Sequence, residues 1–280
     1  MTAGLGARVL LGVALAAAVS VSAMTAPTLG TWRASVAGPG WQASTATFFT
    51  CAATVAPGLD DGTNPLFGLQ FRSTSVASDV SGNRNNGAYT ASPGLDTTTS
   101  SAACPRDPSG EWVLNGTADC VVDTVSVGVL PSTAFSIETW FRTTATGTLI
   151  AYGATGVAPP PNRALYVDTG GRLRAWIGGT DSVTSSSRVD DGAWHLATVV
   201  FAPAIGTTLY VDGVVSGASS TMSSAVSLVS VGAWTIGCSG AIPSWPGAGA
   251  QYLRGRIRFA AVYTASLTRT QVEQHYRAGI

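Results

Sequence analysis

The sequence predicts an all-β protein, an antiparallel β-sandwich with one short C-terminal helix. Good helix formers are scarce, since the 280 residues include three Glu and no Lys. Charged residues make up 11% of the chain, against about 25% in an average soluble domain. Hydrophobic residues make up 45% and include eight Trp, which is enough for a core. From Leu66 onward, short β-type runs alternate with turns rich in Gly, Asn, Asp and Pro.

The N-terminus has the features of a signal peptide. Arg8 precedes an apolar run over residues 9–21, and residues 21–23 (Val-Ser-Ala) supply the small side chains that signal peptidase needs. We therefore predict a signal peptide over residues 1–23, a leader or stalk over 24–65, and a protein that is secreted or held at the cell surface. A retained membrane anchor is the alternative, but the run is shorter than the roughly 20 residues that span a bilayer.

Two classes of partner or cofactor are not expected. The formal net charge is zero, so the chain lacks the basic surface that nucleic-acid binding needs. Neither a P-loop nor a dinucleotide-binding fingerprint occurs. After signal cleavage we expect no membrane span.

Four cysteines fit an exported protein with two disulfides: Cys51, Cys104, Cys120 and Cys238. No two have the Cys-x-x-Cys spacing and the chain has two His, so a zinc site is not expected. Four cysteines allow three pairings, and the sequence leaves the choice open. The pair 104 and 120 would close the shortest loop.

Strand-like runs follow one another without helices between them. The run 135–143 alternates, with Ile137, Thr139 and Phe141 on one face and Glu138, Trp140 and Arg142 on the other. Tight turns are predicted at 168–171 and 212–213, and Asn115-Gly116 predicts a β-hairpin. Spacings of about 10–15 residues between strands favour antiparallel sheets in a sandwich.

One helix is predicted over residues 269–278. Thr268 and Gln271 have the spacing of a capping box, in which each side chain bonds the backbone N–H of the other residue. Val272 and Tyr276 lie on one face, and Gly279 follows as a stop.

Three groups of motifs, in this order, carry a family resemblance. They are residues 79–87 with 112–116; residues 135–140 with 191–195 and 209–213; and residues 235–237, 253–257, 262–263 and 266–267 before the helix. Together they resemble the laminin-G-like jelly roll of the concanavalin A-like lectin and glucanase superfamily, over residues 66–280. The resemblance implies a jelly-roll sandwich that binds ligands through edge loops or a concave sheet face.

No catalytic site is expected. Glucanases of this superfamily carry carboxylates alternating along one strand, but here Glu138 is followed two residues later by Trp140. No Gly-x-Ser-x-Gly motif accompanies His195, which we interpret as a hydrogen-bonded strand residue that anchors a hairpin. His275 is interpreted as a surface or partly buried residue of the helix.

The loop 79–87 is a candidate calcium site. Related jelly rolls use a comparable loop, which points to Asp79 and Asn83 as ligands. Arg258 departs from this pattern, because relatives often place an acidic residue in that strand. The alternative is that Asp79 and Asn83 hydrogen-bond the backbone of a tight turn.

Trp245 is the candidate for stacking on a sugar ring, since a Trp beside Pro246 in a long polar loop is difficult to bury. Trp176 and Tyr166 in the neighbouring hairpin are further candidates. For Trp140, Trp194 and Trp234 we predict core packing.

Three hypotheses for function follow. The first is a non-catalytic module that binds carbohydrate or a glycosylated surface, an inference by analogy of fold. The second is a structural or adhesive surface protein that makes protein contacts, and the third is an unrecognised polysaccharide hydrolase. The sequence leaves the ligand and the oligomeric state open.

Overall fold

The computed structural model describes eleven segments of the chain: residues 48, 50–58, 63, 65–91, 93–97, 102–108, 110–123, 134–153, 163–224, 232–239 and 245–280. They belong to one compact unit, Ala46–Ile280. The predicted signal peptide and residues 24–47 of the predicted leader lie outside the described segments.

The described residues form sixteen strands and one α-helix. In chain order they are β1 (Pro65–Gln70), β2 (Ser78–Asp79), β3 (Gly87–Tyr89), β4 (Gly94–Asp96), β5 (Glu111–Asn115), β6 (Val121–Asp123), β7 (Phe135–Thr143), β8 (Gly147–Gly153), β9 (Arg163–Val167), β10 (Arg172–Trp176), β11 (Val183–Arg188), β12 (Trp194–Ala202), β13 (Gly206–Val211), β14 (Val214–Ser219), β15 (Ala233–Ile236), β16 (Arg254–Tyr263) and α1 (Arg269–Ala278).

The strands form two antiparallel sheets, as the sequence predicts. The first sheet has the order β14-β13-β12-β7-β16-β1-β2, with β5 beside the first half of β16 and β4 beside β5. The second has the order β11-β10-β9-β8-β15-β6-β3. Hairpins of consecutive strands, such as β12-β13-β14 and β8 to β11, are joined to pairs from distant parts of the chain, such as β1 with β16 and β3 with β6. This mixture is the connectivity of a jelly-roll sandwich.

The main core lies between the sheets, and the alternation predicted for β7 explains how the strand fills it. Ile137 and Phe141 are buried in this core, whereas Trp140 is buried on the outer face of the first sheet. That outer face is therefore apolar too and must be covered.

Helix α1 covers part of the outer face and has the predicted bounds. The capping box is present: Thr268 accepts from the Gln271 amide, and the Gln271 side chain accepts from the Thr268 amide. Gly279 ends the helix with an ordinary negative φ. It is needed for space, because a Cβ there would lie 2.3 Å from the Trp140 ring. Among the described elements, no helix is long and apolar enough to cross a membrane.

Residues 50–58 cover the rest of the outer face. Val55 is fully buried there, and the amides of Cys51 and Ala52 donate to the Asp107 carboxylate at 2.7 and 3.0 Å. Arg258, 2% exposed, donates to backbone carbonyls of the loop that carries Asp107. This segment therefore packs on the same sandwich as the strands that follow it.

The structure resolves the disulfide pairing that the sequence leaves open. The pairs are Cys51–Cys104 and Cys120–Cys238. Asp107 lies close to the Cys51–Cys104 pair. The two cysteine sulfurs are bonded to each other, so they are not free to bind a metal ion together with Asp107.

The predicted hairpin at Asn115-Gly116 is wrong. Strand β5 lies in the first sheet and β6 in the second, so this turn is a corner between the sheets. The Asn115 side chain accepts from the amides of Thr117 and Ala118, while Asp119 accepts from the Asn115 amide. These bonds replace the cross-strand ladder of a hairpin. The turns at 168–171 and 212–213 do join adjacent strands, as predicted.

Loss of the capping box is expected to destabilise the domain. Thr268→Ala removes the acceptor for the Gln271 amide and should lower the free energy of unfolding by about 1 kcal/mol. Thr268→Ser keeps the hydroxyl and should unfold near the wild-type midpoint in urea. Equal midpoints for wild type and Thr268→Ala would contradict this role.

Candidate functional site

An open groove at one end of the sandwich is lined by hydroxyl groups and one aromatic ring. Its volume is about 560 Å³. The lining residues come from the loop after β1 and from β3 with its following turn: Thr74, Ser75, Tyr89, Thr90, Ala91 and Pro93. A groove of this size can hold a small ligand or part of a longer chain.

One wall of the groove is fixed to the second sheet. Strand β3 pairs with β6, where Tyr89 lies opposite Val121. The Thr90 amide donates to the Cys120 carbonyl at 2.9 Å, and the Thr90 hydroxyl lies 3.2 Å from that oxygen and from the Ala118 carbonyl. Because Cys120 is bonded to Cys238, the wall is also linked covalently to the segment after β15.

The Tyr89 ring belongs to both the groove and the core. Its edge meets the Trp112 ring with centroids 5.6 Å apart, and Trp112 stacks on Phe71 at 5.4 Å. The Tyr89 hydroxyl is covered and has no hydrogen-bond partner among the described residues. Burial raises the pKa of this hydroxyl above its ordinary value, so the phenol is neutral at physiological pH.

The aromatic residues predicted to meet a sugar are buried. Trp245 is 4% exposed, Trp176 9% and Tyr166 1%. The expectation that Trp245 is difficult to bury is therefore wrong. The loop around Pro246 folds back over the outer face of the second sheet and covers the other two rings. Sugar binding through these three residues stays a prediction, but it was based on exposed ring faces and the three rings are buried.

Contacts inside this cluster explain its burial. The Trp245 ring lies 5.0 Å from Tyr166 and 6.0 Å from Trp176, centroid to centroid. The Tyr166 hydroxyl donates to the Pro246 carbonyl at 2.6 Å, and the Trp176 indole donates to the Gly179 carbonyl at 2.9 Å. The Tyr166 bond thus holds the loop around Pro246 down, the Trp176 bond fixes that indole within its own hairpin, and the three rings exclude water. Core packing of Trp140 and Trp234, both at most 2% exposed, is as predicted. Trp194 was predicted to pack in the core too, but it is only partly buried, against the cluster on the outer face of the first sheet.

The loop 79–87 has the hydrogen bonds of a tight turn. Oδ1 of Asp79 accepts from the amides of Gly68 and Ser81, and Oδ2 accepts from the Ser81 hydroxyl and the Asn85 amide, each at 2.9 Å. The Asn83 amide group donates to the Pro65 carbonyl at 2.7 Å. These contacts match the turn alternative, since the acceptor positions of Asp79 are directed at protein donors. Calcium binding at Asp79 and Asn83 stays a prediction.

Removal of the Asp79 carboxylate separates the two alternatives. Asp79→Ala loses four hydrogen bonds to a charged group, and we expect the free energy of unfolding to fall by about 2–3 kcal/mol, with or without EDTA. Asn83→Ala loses only uncharged bonds, those to the carbonyls of Pro65 and Leu66, and should cost about 1 kcal/mol. If EDTA destabilises the wild type but neither variant, the loop binds calcium and the turn alternative fails.

Two carboxylates that are separated in the sequence meet in the structure. Asp96 on β4 lies opposite Glu111 on β5, and one guanidinium nitrogen of Arg256 contacts both, at 3.0 and 2.6 Å. These hydrogen bonds raise the pKa of Arg256 above its ordinary value. The sequence does not indicate this pair, because β4 has only three residues and carries no clear strand pattern.

The remaining glutamates are also partnered. Glu138, 1% exposed, lies below α1 and binds Tyr263 and His275. Glu273 forms an exposed ion pair with Arg269. His275 is 2% exposed, so its predicted position at or near the surface is wrong. Phe48, in the leader segment assumed to be separate, covers it.

His195 anchors the β13–β14 hairpin, as predicted. Its Nδ1 lies 2.8 Å from Asp212 Oδ2, and its Nε2 lies 3.1 Å from Asp191 Oδ1. The bond to Asp212 raises the pKa of His195 above its ordinary value, against the opposing effect of burial.

The contact between His195 and Asp212 makes the stability of the fold depend on pH. A histidine whose folded pKa is raised stabilises the fold fully below its ordinary pKa of about 6.5, and that contribution is lost as the pH rises through the folded pKa. We expect the melting temperature of the wild type to fall from pH 6 toward alkaline pH by more than that of His195→Gln. Parallel curves for the two proteins would contradict the prediction.

Comparison with known proteins agrees with this architecture. Residues 115–273 match the family model described as Laminin_G_3 of the concanavalin A-like lectin/glucanases superfamily. A search of curated protein sequences finds no match. Similar solved structures include a Trypanosoma rangeli sialidase in complex with the inhibitor DANA, at 16% identity and a TM-score of 0.55, covering 82% of this chain and 35% of that one.

Two smaller proteins show the same fold. The binding domain of Paraclostridial Mosquitocidal Protein 1 has 15% identity and a TM-score of 0.54, covering 76% of this chain and 52% of that one. Domain 4 of AbnA, an extracellular arabinanase from Geobacillus stearothermophilus in complex with arabinotriose, has 15% identity and a TM-score of 0.53, covering 76% of this chain and 98% of that one. The chain thus spans about a third of the sialidase but nearly all of the arabinanase domain.

Proposed function

Because the chain belongs to the concanavalin A-like lectin/glucanase superfamily, we propose that it is an exported, non-catalytic module that binds carbohydrate. The observation that carries the proposal is the groove around Tyr89. An aromatic ring flanked by hydroxyl groups offers a sugar an apolar surface for its C–H face and hydrogen-bonding groups at its edge. The arabinotriose in the complex of AbnA domain 4 supports a sugar as ligand.

The arrangement of carboxylates supports a non-catalytic role. Hydrolysis of glycosides needs one carboxyl group that carries a proton and a second that is ionised, on either side of an open cleft. One guanidinium nitrogen of Arg256 contacts both Asp96 and Glu111, so this pair of carboxylates is bridged by a cation and is not set across an open cleft. Glu138 is sealed below the helix. The hydrolase hypothesis has no observation of this kind in its favour.

Two features support export. The two disulfides persist in oxidising compartments. The N-terminal sequence, with Arg8 before an apolar run, is typical of signal peptides.

Protein contacts are the second candidate function, and one observation favours them. Strand β14 forms an edge of the first sheet, where Val214 is 62% and Val215 45% exposed. Apolar side chains on an edge strand can pair with another chain. Self-association that is lost on Val215→Lys, together with no sugar binding, would favour this function over the first.

Variants of Tyr89 test the carbohydrate site. Tyr89→Leu retains apolar volume but removes the aromatic ring, and we expect the affinity for a bound oligosaccharide to fall about tenfold or more, a loss of about 1.4 kcal/mol. Tyr89→Phe retains the ring and removes a hydroxyl without a described partner. It should bind like the wild type and be at least as stable.

A matched control distinguishes this groove from the buried cluster. Trp245→Phe changes the cluster under the 245–250 loop and should leave sugar affinity unchanged in isothermal calorimetry. Loss of binding with Trp245→Phe but not with Tyr89→Leu would move the site to the cluster. A wild-type protein that binds no oligosaccharide on a glycan array would overturn the proposed function.

A further inference from the structure

The described residues that line the groove around Tyr89 carry no formal charge, and we infer that the groove selects neutral sugars and rejects acidic ones. The inference rests on the proposed function and names the class of ligand for that site. The described lining residues are hydroxyl-bearing or apolar. The phenol of Tyr89 is the lining group that titrates, and burial keeps it neutral by raising its pKa.

Two charged residues close to the lining in the sequence, Arg72 and Asp96, are not among the lining residues. Three residues after Pro93, Asp96 joins Glu111 and Arg256 in a cluster of two anions and one cation, with a formal charge of −1. Arg72 precedes Thr74 by two residues, but its side-chain stem lies against Gly110, and Arg72 is not among the lining residues. An acidic sugar in the groove would therefore meet no counterion from the described lining.

The hydrogen-bonding groups of the wall favour the same class. The Thr90 hydroxyl is positioned to donate to the carbonyls of Ala118 and Cys120, so its lone pairs are what it presents to a ligand. A sugar hydroxyl can donate to that oxygen, whereas a carboxylate or sulfate has no proton to give. Ser75 shares its hydroxyl with Ser73 at 2.7 Å, at the exposed rim.

A neutral oligosaccharide and its acidic counterpart are therefore expected to differ in binding free energy. A sugar hydroxyl exchanges bonds with water for bonds with the wall at little net cost. A carboxylate that is desolvated in the groove, where it finds neither a cation nor enough hydrogen-bond donors, loses far more free energy. We expect an acidic oligosaccharide to bind at least about tenfold more weakly than its neutral parent.

Pairs of oligosaccharides that differ by one acidic residue test the inference on the full, oxidised protein. The probes are a galactose-terminated chain with and without terminal sialic acid, and xylo-oligosaccharides with and without a glucuronic acid branch. The expected result is binding of the neutral member of a pair, with an affinity that changes less than twofold between low and high ionic strength.

A charge-adding variant locates the selectivity. Thr74→Arg places a cation at the rim and should raise affinity for the acidic member, while Thr74→Gln, similar in length but uncharged, should not. Preference of the wild type for acidic probes would overturn the inference while leaving the proposed function intact. Binding that neither Thr74→Arg nor Tyr89→Leu alters would also overturn it, because the site would lie elsewhere. Failure of every neutral and acidic probe would overturn the proposed function itself.

Discussion

The buried carboxylate of Glu138 determines how the outer face of the first sheet is covered. It lies on β7, the strand between β12 and β16, and is 1% exposed. A charge removed from water without partners costs several kcal/mol. The Tyr263 hydroxyl donates to one oxygen, and His275 Nδ1 lies 3.0 Å from the other. Since Tyr263 comes from β16 and His275 from α1, the carboxylate joins the sheet to the helix.

The remaining cover follows from the position of the helix. With His275 placed over Glu138, the next helix residue, Tyr276, stacks on Trp140 with ring centroids 5.7 Å apart. The Phe48 ring packs edge to face against the His275 ring, with centroids 5.6 Å apart. The N-terminal segment that brings Phe48 is held by the Cys51–Cys104 disulfide and by Asp107. Arg258 supplies the positive charge below that loop.

Local patterns explain which parts of the fold could be predicted from the sequence. The two-residue period of β7 and the capping box of α1 depend on neighbours in the chain, so both were predicted with the correct faces and bounds. The corner at Asn115 was wrong because the choice between one sheet and two is made by distant strands. Burial of Trp245 also depends on a remote contact, the fold of its loop onto Tyr166. The Tyr89 groove was missed because its two walls are separated in the chain by the 79–87 loop, although the runs Ser-Thr-Ser at 73–75 and Tyr-Thr at 89–90 contain its hydroxyl groups.

The two ends of the described domain lie side by side, and this has a mechanical consequence. Phe48, Ala53 and Ala278 share one small cluster, and the Cys104 amide donates to the Gly279 carbonyl at 2.9 Å. A pulling force on the N-terminal side reaches Cys51 and passes through the disulfide to Cys104, next to the C-terminal residues. The load then acts on this corner of the molecule and bypasses the two sheets.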